Sequence, residues 1–238
     1  AAGRRMAAEA AAADLSLMVA QPIRYRELNL MAAWCLQQGA LGELRLAIET
    51  YLVSAGEEDA ELVMGVGLER LSLAEQLCGP IATVQAVCQR PGSGPEESFA
   101  ALLVFENGAL GQLACGTSVA GQPTRVPLTI YGRSGSLRDG VLLTATGEEL
   151  VSQRFARLAA PEEAARLLQL HCPYARLLHE FIEALRVGQR LAPDLRDLAL
   201  AYALLESAGR ATPIAVADVL SGAARDSQAA IDARYELA

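Results

Sequence analysis

The sequence predicts an α+β fold: an open, mostly antiparallel mixed β-sheet with helices on one face. Three observations carry this. Residues 98–118 form two apolar runs closed by Asn107-Gly108, a dipeptide suited to a type I′ hairpin turn, so Phe99–Phe105 and Ala109–Thr117 are expected to pair antiparallel. Val126–Tyr131 is rich in β-branched and aromatic residues and runs through Gly132 and Gly135 into Ser136-Leu137-Arg138, which reads as a meander. The chain then closes on helical patterns, Tyr174–Val187 with Leu177, Leu178, Phe181, Ile182 and Leu185 on one face, and a longer one from Pro193-Asp194 to about Gly209.

The remaining elements follow in order. Residues 4–13 are helical by propensity, and Leu15–Ala20 reads as a short strand stopped by Pro22. Glu27–Gln38 has apolar residues at 28, 31, 32 and 35 and Gly39 as its stop, which predicts a helix. Leu44–Val53 alternates as a strand, and Glu57-Glu58-Asp59 reads as a solvated loop. A helix is expected over 67–78 before Gly79-Pro80, then a strand over Ile81–Gln89 and a loop at Pro91–Pro95. Val141–Thr144 and Glu149–Phe155 read as edge strands, Pro161–Leu170 as a short helix and Pro213–Val219 as an extended end. The strands are apolar on both faces (Ala101, Leu102, Leu103, Val104, Leu110, Leu113), so the face without helices is expected to pack on another subunit.

Composition narrows the function. A net charge of −8 with scattered arginines argues against a nucleic-acid partner. No apolar run approaches 18 residues and no secretory signal is recognisable, so neither a membrane span nor export is expected, and the cytoplasm is the expected location. The five cysteines form no C-x-x-C pair and read as small buried hydrophobes. All 20 basic residues are Arg, so no lysine acid, base or Schiff base can come from this chain. His171 and His179 suggest no metal site. Gly65-x-Gly67 lacks a third glycine, and no G-x-G-x-x-G occurs, so dinucleotide binding by this chain alone is not expected.

Several short matches in one order resemble the glucose-fructose oxidoreductase / inositol dehydrogenase / MocA (Gfo/Idh/MocA) family. Arg24-Tyr25 leading to Gly39-Ala40-Leu41-Gly42 is similar to that family's lead-in to its C-terminal domain. Leu77-Cys78-Gly79, Val84-Gln85-Ala86, Phe105-Glu106-Asn107-Gly108-Ala109 and Ile130-Tyr131-Gly132 with Gly135-Ser136-Leu137 follow in sequence, and Phe181–Gly188 and Glu206–Arg210 resemble its closing helices. The resemblance implies a C-terminal, dihydrodipicolinate reductase-like domain. On that reading, residues 1–22 are the remnant of the last helix and strand of a Rossmann domain, 23–220 the substrate-binding and oligomerisation domain, and 221–238 a tail. NAD or NADP is then implied only if the parent protein supplies the Rossmann domain, with its Glu-Lys-Pro motif.

The resemblance also places a D-x-G-x-H-x-x-D helix start here, with Gly65 at the first Asp, Glu69 at the His and Ser72 at the second Asp. Glu69 could act as the base for hydride transfer only if burial lifts its carboxyl; otherwise it is a solvated first-turn residue. Arg24 sits where the family reaches substrate or cofactor and Tyr25 beside it; a guanidinium suits a carboxylate or phosphate. Two functions are therefore expected from the resemblance. One is the substrate and oligomerisation half of an NAD(P)-dependent oxidoreductase acting on a sugar, polyol or related small molecule, with a degenerate catalytic motif. The other is a non-catalytic structural or ligand-binding module. A small-molecule substrate and a homo-oligomer through the open sheet are the expected partners.

Overall fold

A computed structural model describes residues 2–54, 62–89, 97–118 and 125–229. The predicted loops at 57–59 and 91–95 lie outside them. The chain opens with α1 (Ala2–Ala12), crosses residues 13–21 without a strand, makes a 3-10 turn (Pro22–Tyr25) and enters α2 (Glu27–Gln37). Leu15–Ala20 therefore corrects the strand expectation. Its backbone instead meets the loop before the last long helix, where the Leu17 amide donates to the Leu191 carbonyl.

The strands are β1 (Leu44–Ser54), β2 (Ile81–Gln89), β3 (Ser98–Phe105), β4 (Leu110–Ser118), β5 (Arg125–Gly132), β6 (Gly135–Arg138), β7 (Val141–Thr144), β8 (Gly147–Leu150) and β9 (Ile214–Ala215). They form one sheet in the order β8-β7-β6-β5-β1-β4-β3-β2-β9. Adjacent strands are antiparallel except β1 and β4. The stretch read as a meander is thus interrupted, because β1 inserts between β4 and β5. A sequence window shows only neighbours along the chain, whereas β1 arrives from some 60 residues upstream.

The turn at Asn107-Gly108 is also corrected. Only Gly108 has positive φ (84°), the Gly108 amide donates to the Phe105 carbonyl, and the Phe105 amide donates to the Ala109 carbonyl. This is a three-residue loop of a type I turn and a left-handed glycine. Asn107 explains the choice: its Oδ1 accepts from the Ala109 amide and its Nδ2 donates to the Cys78 carbonyl, tying the hairpin to a helix end.

Alternation decides the two sheet faces. Ala101, Leu103, Phe105 and Leu113 point inward and are buried, while Leu102, Val104 and Leu110 stand exposed on the other face. The inner face is covered by α2, by α3 (Leu68–Cys78) and by α7 (Arg196–Arg210), and a π-helical turn (Val63–Gly67) leads directly into α3. Gly67 is fixed by packing, since a Cβ there would lie 3.1 Å from the Phe99 ring. Gly132 is fixed more firmly: its Cβ would collide with the Leu41 carbonyl oxygen.

Residues 151–158 form α4 (Val151–Leu158), which overturns the edge-strand expectation beyond Leu150. Val151 and Phe155, one turn apart, are both buried, and Phe155 packs edge-on against Trp34 with centroids 5.2 Å apart. Helices α5 (Pro161–Leu168) and α6 (Pro173–Arg186) follow, and the extended end shrinks to β9 before a short α8 (Val216–Ser221). Cys35, Cys78 and Cys115 are buried as expected, whereas Cys172 is exposed, lying in the turn before α6. No helix among the described residues is long and apolar enough to cross a membrane.

Candidate functional site

Two of the four residues singled out from the sequence meet. Arg24, on the 3-10 turn, donates from Nε to Ser72 Oγ on α3 at 2.6 Å and from NH2 to Asp197 Oδ1 on α7 at 2.6 Å. Ser72 is fully buried and also hydrogen-bonds Asp197, so one hydroxyl links the two charged partners. Gln76, one turn along α3, donates to the Arg24 carbonyl. The turn holding Arg24 is thus fixed at backbone and side chain by α3 and α7.

A second ion pair stands behind the first. Glu75 accepts from Arg196 Nε at 2.6 Å and from the Ile81 amide at 2.9 Å, and its other oxygen lies 3.8 Å from Arg24. Arg196 also reaches Glu106 at 3.3 Å, so two guanidinium groups and three carboxylates make a network joining the start of the domain to α3, β2 and α7. Burial lifts the Asp197 carboxyl above its ordinary value, opposed by Arg24 and Ser72. Asp197, Glu75 and Arg196 were not anticipated from sequence. The available signal was Asp197 in the first turn of a predicted helix, a position that the helix dipole makes unremarkable for an acid.

Tyr25 faces α6. Its hydroxyl donates to Glu180 Oε2 at 2.9 Å, and its carbonyl accepts from the buried Arg176. Burial, then the Glu180 hydrogen bond and charge, push the Tyr25 phenol up to about 12. It remains a neutral donor near pH 7. Together Gln21, Arg24, Tyr25, Glu180, Asp194 and Asp197 border a cleft of about 570 Å³ beside residues 18–21 and α6. The side chains charged around it are Arg24 against Glu180, Glu183, Asp194 and Asp197. Arg24 is thus the one cation among four carboxylates in that lining.

Glu69 stands apart. Its side chain is 42% exposed, and its ion-pair partner among the described residues is Arg70, 3.7 Å away. The desolvation that a carboxylate base requires is not supplied there. Arg70 itself turns inward over the Tyr51 ring, 4.7 Å from its centroid, with NH1 3.4 Å from Glu49 Oε1. His171 is exposed beside Glu27, and no group of three or more His, Cys, Asp and Glu among the described residues could hold a metal ion.

An open mixed sheet with helices on one face and a polar cleft beside the 3-10 turn define an α+β domain. Residues 31–138 match the family model of the GFO/IDH/MocA C-terminal domain. No curated protein sequence matches it. Solved structures share the fold. An oxidoreductase from Agrobacterium radiobacter in complex with NAD+, L-tartaric acid and magnesium is 20% identical, with a TM-score of 0.69 over 90% of this chain and 69% of that one. An oxidoreductase domain protein from Kribbella flavida is 20% identical, with a TM-score of 0.67 over 88% and 69%. A levoglucosan dehydrogenase in complex with NADH and levoglucosan is 18% identical, with a TM-score of 0.64 over 85% and 67%.

Proposed function

We propose that this chain is the substrate-binding and oligomerisation half of an NAD(P)-dependent oxidoreductase acting on a sugar, polyol or related small molecule. Residues 23–220 are that domain, and residues 1–22 the last part of a preceding dinucleotide-binding domain. The observation that carries the reading is Arg24, locked by Ser72 and Asp197 at the rim of the cleft where the chain enters the domain. Supporting it, structural neighbours were solved with NAD+ or NADH, one of them with levoglucosan. The cofactor, NAD or NADP, is held by the dinucleotide-binding domain, and a cytoplasmic location suits its chemistry.

Oxidising an alcohol needs a base for the hydroxyl proton as hydride leaves. Ser72 spends its hydroxyl on Arg24 and Asp197, and Glu69 is half-exposed. In this reading the domain orients substrate through Arg24 and the neutral Tyr25 phenol, and the proton acceptor lies on the preceding domain. The test is reduction of NAD+ or NADP+ by the intact protein with a panel of sugars and polyols. Turnover that falls when Arg24 becomes Gln supports it. A protein that binds cofactor without turning over any of them supports the second reading, a non-catalytic binding module, which the substituted 65, 69 and 72 positions favour.

The open sheet face is proposed as the contact with a second copy. Val87 (66% exposed), Leu102 (58%), Leu110 and Leu143 all project from it. An apolar strand surface of that extent marks an association surface.

A further inference from the structure

We propose that Gln21 reads the substrate in the Arg24 cleft, its carboxamide engaging two adjacent hydroxyls: Oε1 accepts from one and Nε2 donates to the other. The residue is 6% exposed and lines the cleft beside Arg24 and Tyr25. Its side chain does not cap the 3-10 turn that it precedes, and it has no hydrogen-bond partner among the described residues. Buried carboxamides are ordinarily hydrogen-bonded. One that lines a cleft without a partner is a group held ready for a ligand.

The charged groups of the same lining are already engaged. Arg24 is held by Ser72 and Asp197, Glu180 accepts from Tyr25, Glu183 pairs with Arg186 at 2.6 Å, and Asp194 accepts from the Arg196 amide. Gln21 is different: its side-chain hydrogen bonds remain to be made. Its backbone is fixed beforehand, because Pro22 disfavours the helical conformation at Gln21 (φ −127°) and the Gln21 carbonyl accepts from the Arg24 amide at 3.1 Å. The side chain therefore needs little further ordering to bind. A carboxamide presents an acceptor and a donor side by side and carries no charge, which matches neighbouring hydroxyls. A lone hydroxyl satisfies half of it, as do equatorial hydroxyls on alternate ring carbons. A site whose polar groups are placed for substrate hydroxyls rejects the analogue that leaves them unpaired. The inference rests on the sugar or polyol reading above, which it narrows to vicinal diols.

Calorimetric titration of the intact protein with myo-inositol and with cis-1,3,5-cyclohexanetriol, which has no adjacent hydroxyls, tests it. Saturable binding of myo-inositol is expected, about tenfold or more tighter than that of the triol. Gln21→Met keeps the length of the side chain and removes both hydrogen-bonding groups, so it should bring the two affinities within about twofold of each other. A thermal melt separates this role from a structural one. Removing an unpartnered buried amide should leave the melting temperature unchanged or raised, whereas an amide that holds the fold lowers it when lost. No saturable binding of myo-inositol, an equal affinity for the triol, a preference that survives in Gln21→Met, or a lowered melt would each overturn the proposal. NADH titration of the same sample reports on the oxidoreductase reading separately: a protein that ignores NADH yet keeps the Gln21-dependent preference fails that reading and upholds this one.

Discussion

Asp197 carries the pH behaviour expected at the junction. Burial raises its carboxyl, so the folded protein keeps that proton to higher pH than the unfolded chain does. The stability this group contributes is present at acid pH and declines as pH rises from the ordinary carboxylate value, about 3.9, through the raised one. Asp197→Asn should remove that decline, read as urea midpoints taken across the interval; wild type and variant running parallel would contradict it. At Glu69 the exposure of the side chain decides: Glu69→Gln should leave turnover within about twofold, where loss of a general base would cost 10²-fold or more. A large drop would make Glu69 the base after all. Of the residues chosen from sequence by motif order, Arg24 and Ser72 meet in the structure while Glu69 stands apart. Asp197, Glu75 and Arg196 were not legible, since a buried ion pair between distant helices leaves no local pattern.

Elements were legible where one period dominated. The helices at α2, α3 and α6 and the strands β2 to β6 follow apolar spacing and glycine stops, and the structure keeps them within a few residues. Helix α4 was missed because eight residues hold little more than two turns, and Val151 and Phe155, four apart, fall on one face under either period. Packing settles it, since Phe155 is buried against Trp34. Phe155→Ala should therefore cost about 3–5 kcal/mol in a denaturant melt, a core loss rather than the small change of an edge strand. A change under about 1 kcal/mol would place this helix outside the core. Gly132→Ala makes the matching test of the β5–β6 corner. A Cβ driven into the Leu41 carbonyl forces the backbone apart and should destabilise by about 1–3 kcal/mol, and a neutral outcome would mean that the corner yields freely.

For the whole molecule, the sheet is finished on one face and bare on the other. Alternation along β3 and β4 announced two apolar faces from sequence, but not that β1 would lie between β4 and β5, which depends on a pairing about 60 residues apart. Light scattering during gel filtration should show a dimer or larger assembly, and Val87→Glu with Leu102→Glu should release monomers that remain folded; a wild-type monomer would contradict the role given to this face. The claim that organises the rest is that this domain works beside a dinucleotide-binding partner domain. Fluorescence titration with NADH and NADPH tests it most directly. Saturable enhancement with the intact protein and none with the 238-residue chain alone is the predicted result. No enhancement with the intact protein, or saturable binding to this chain by itself, would contradict it.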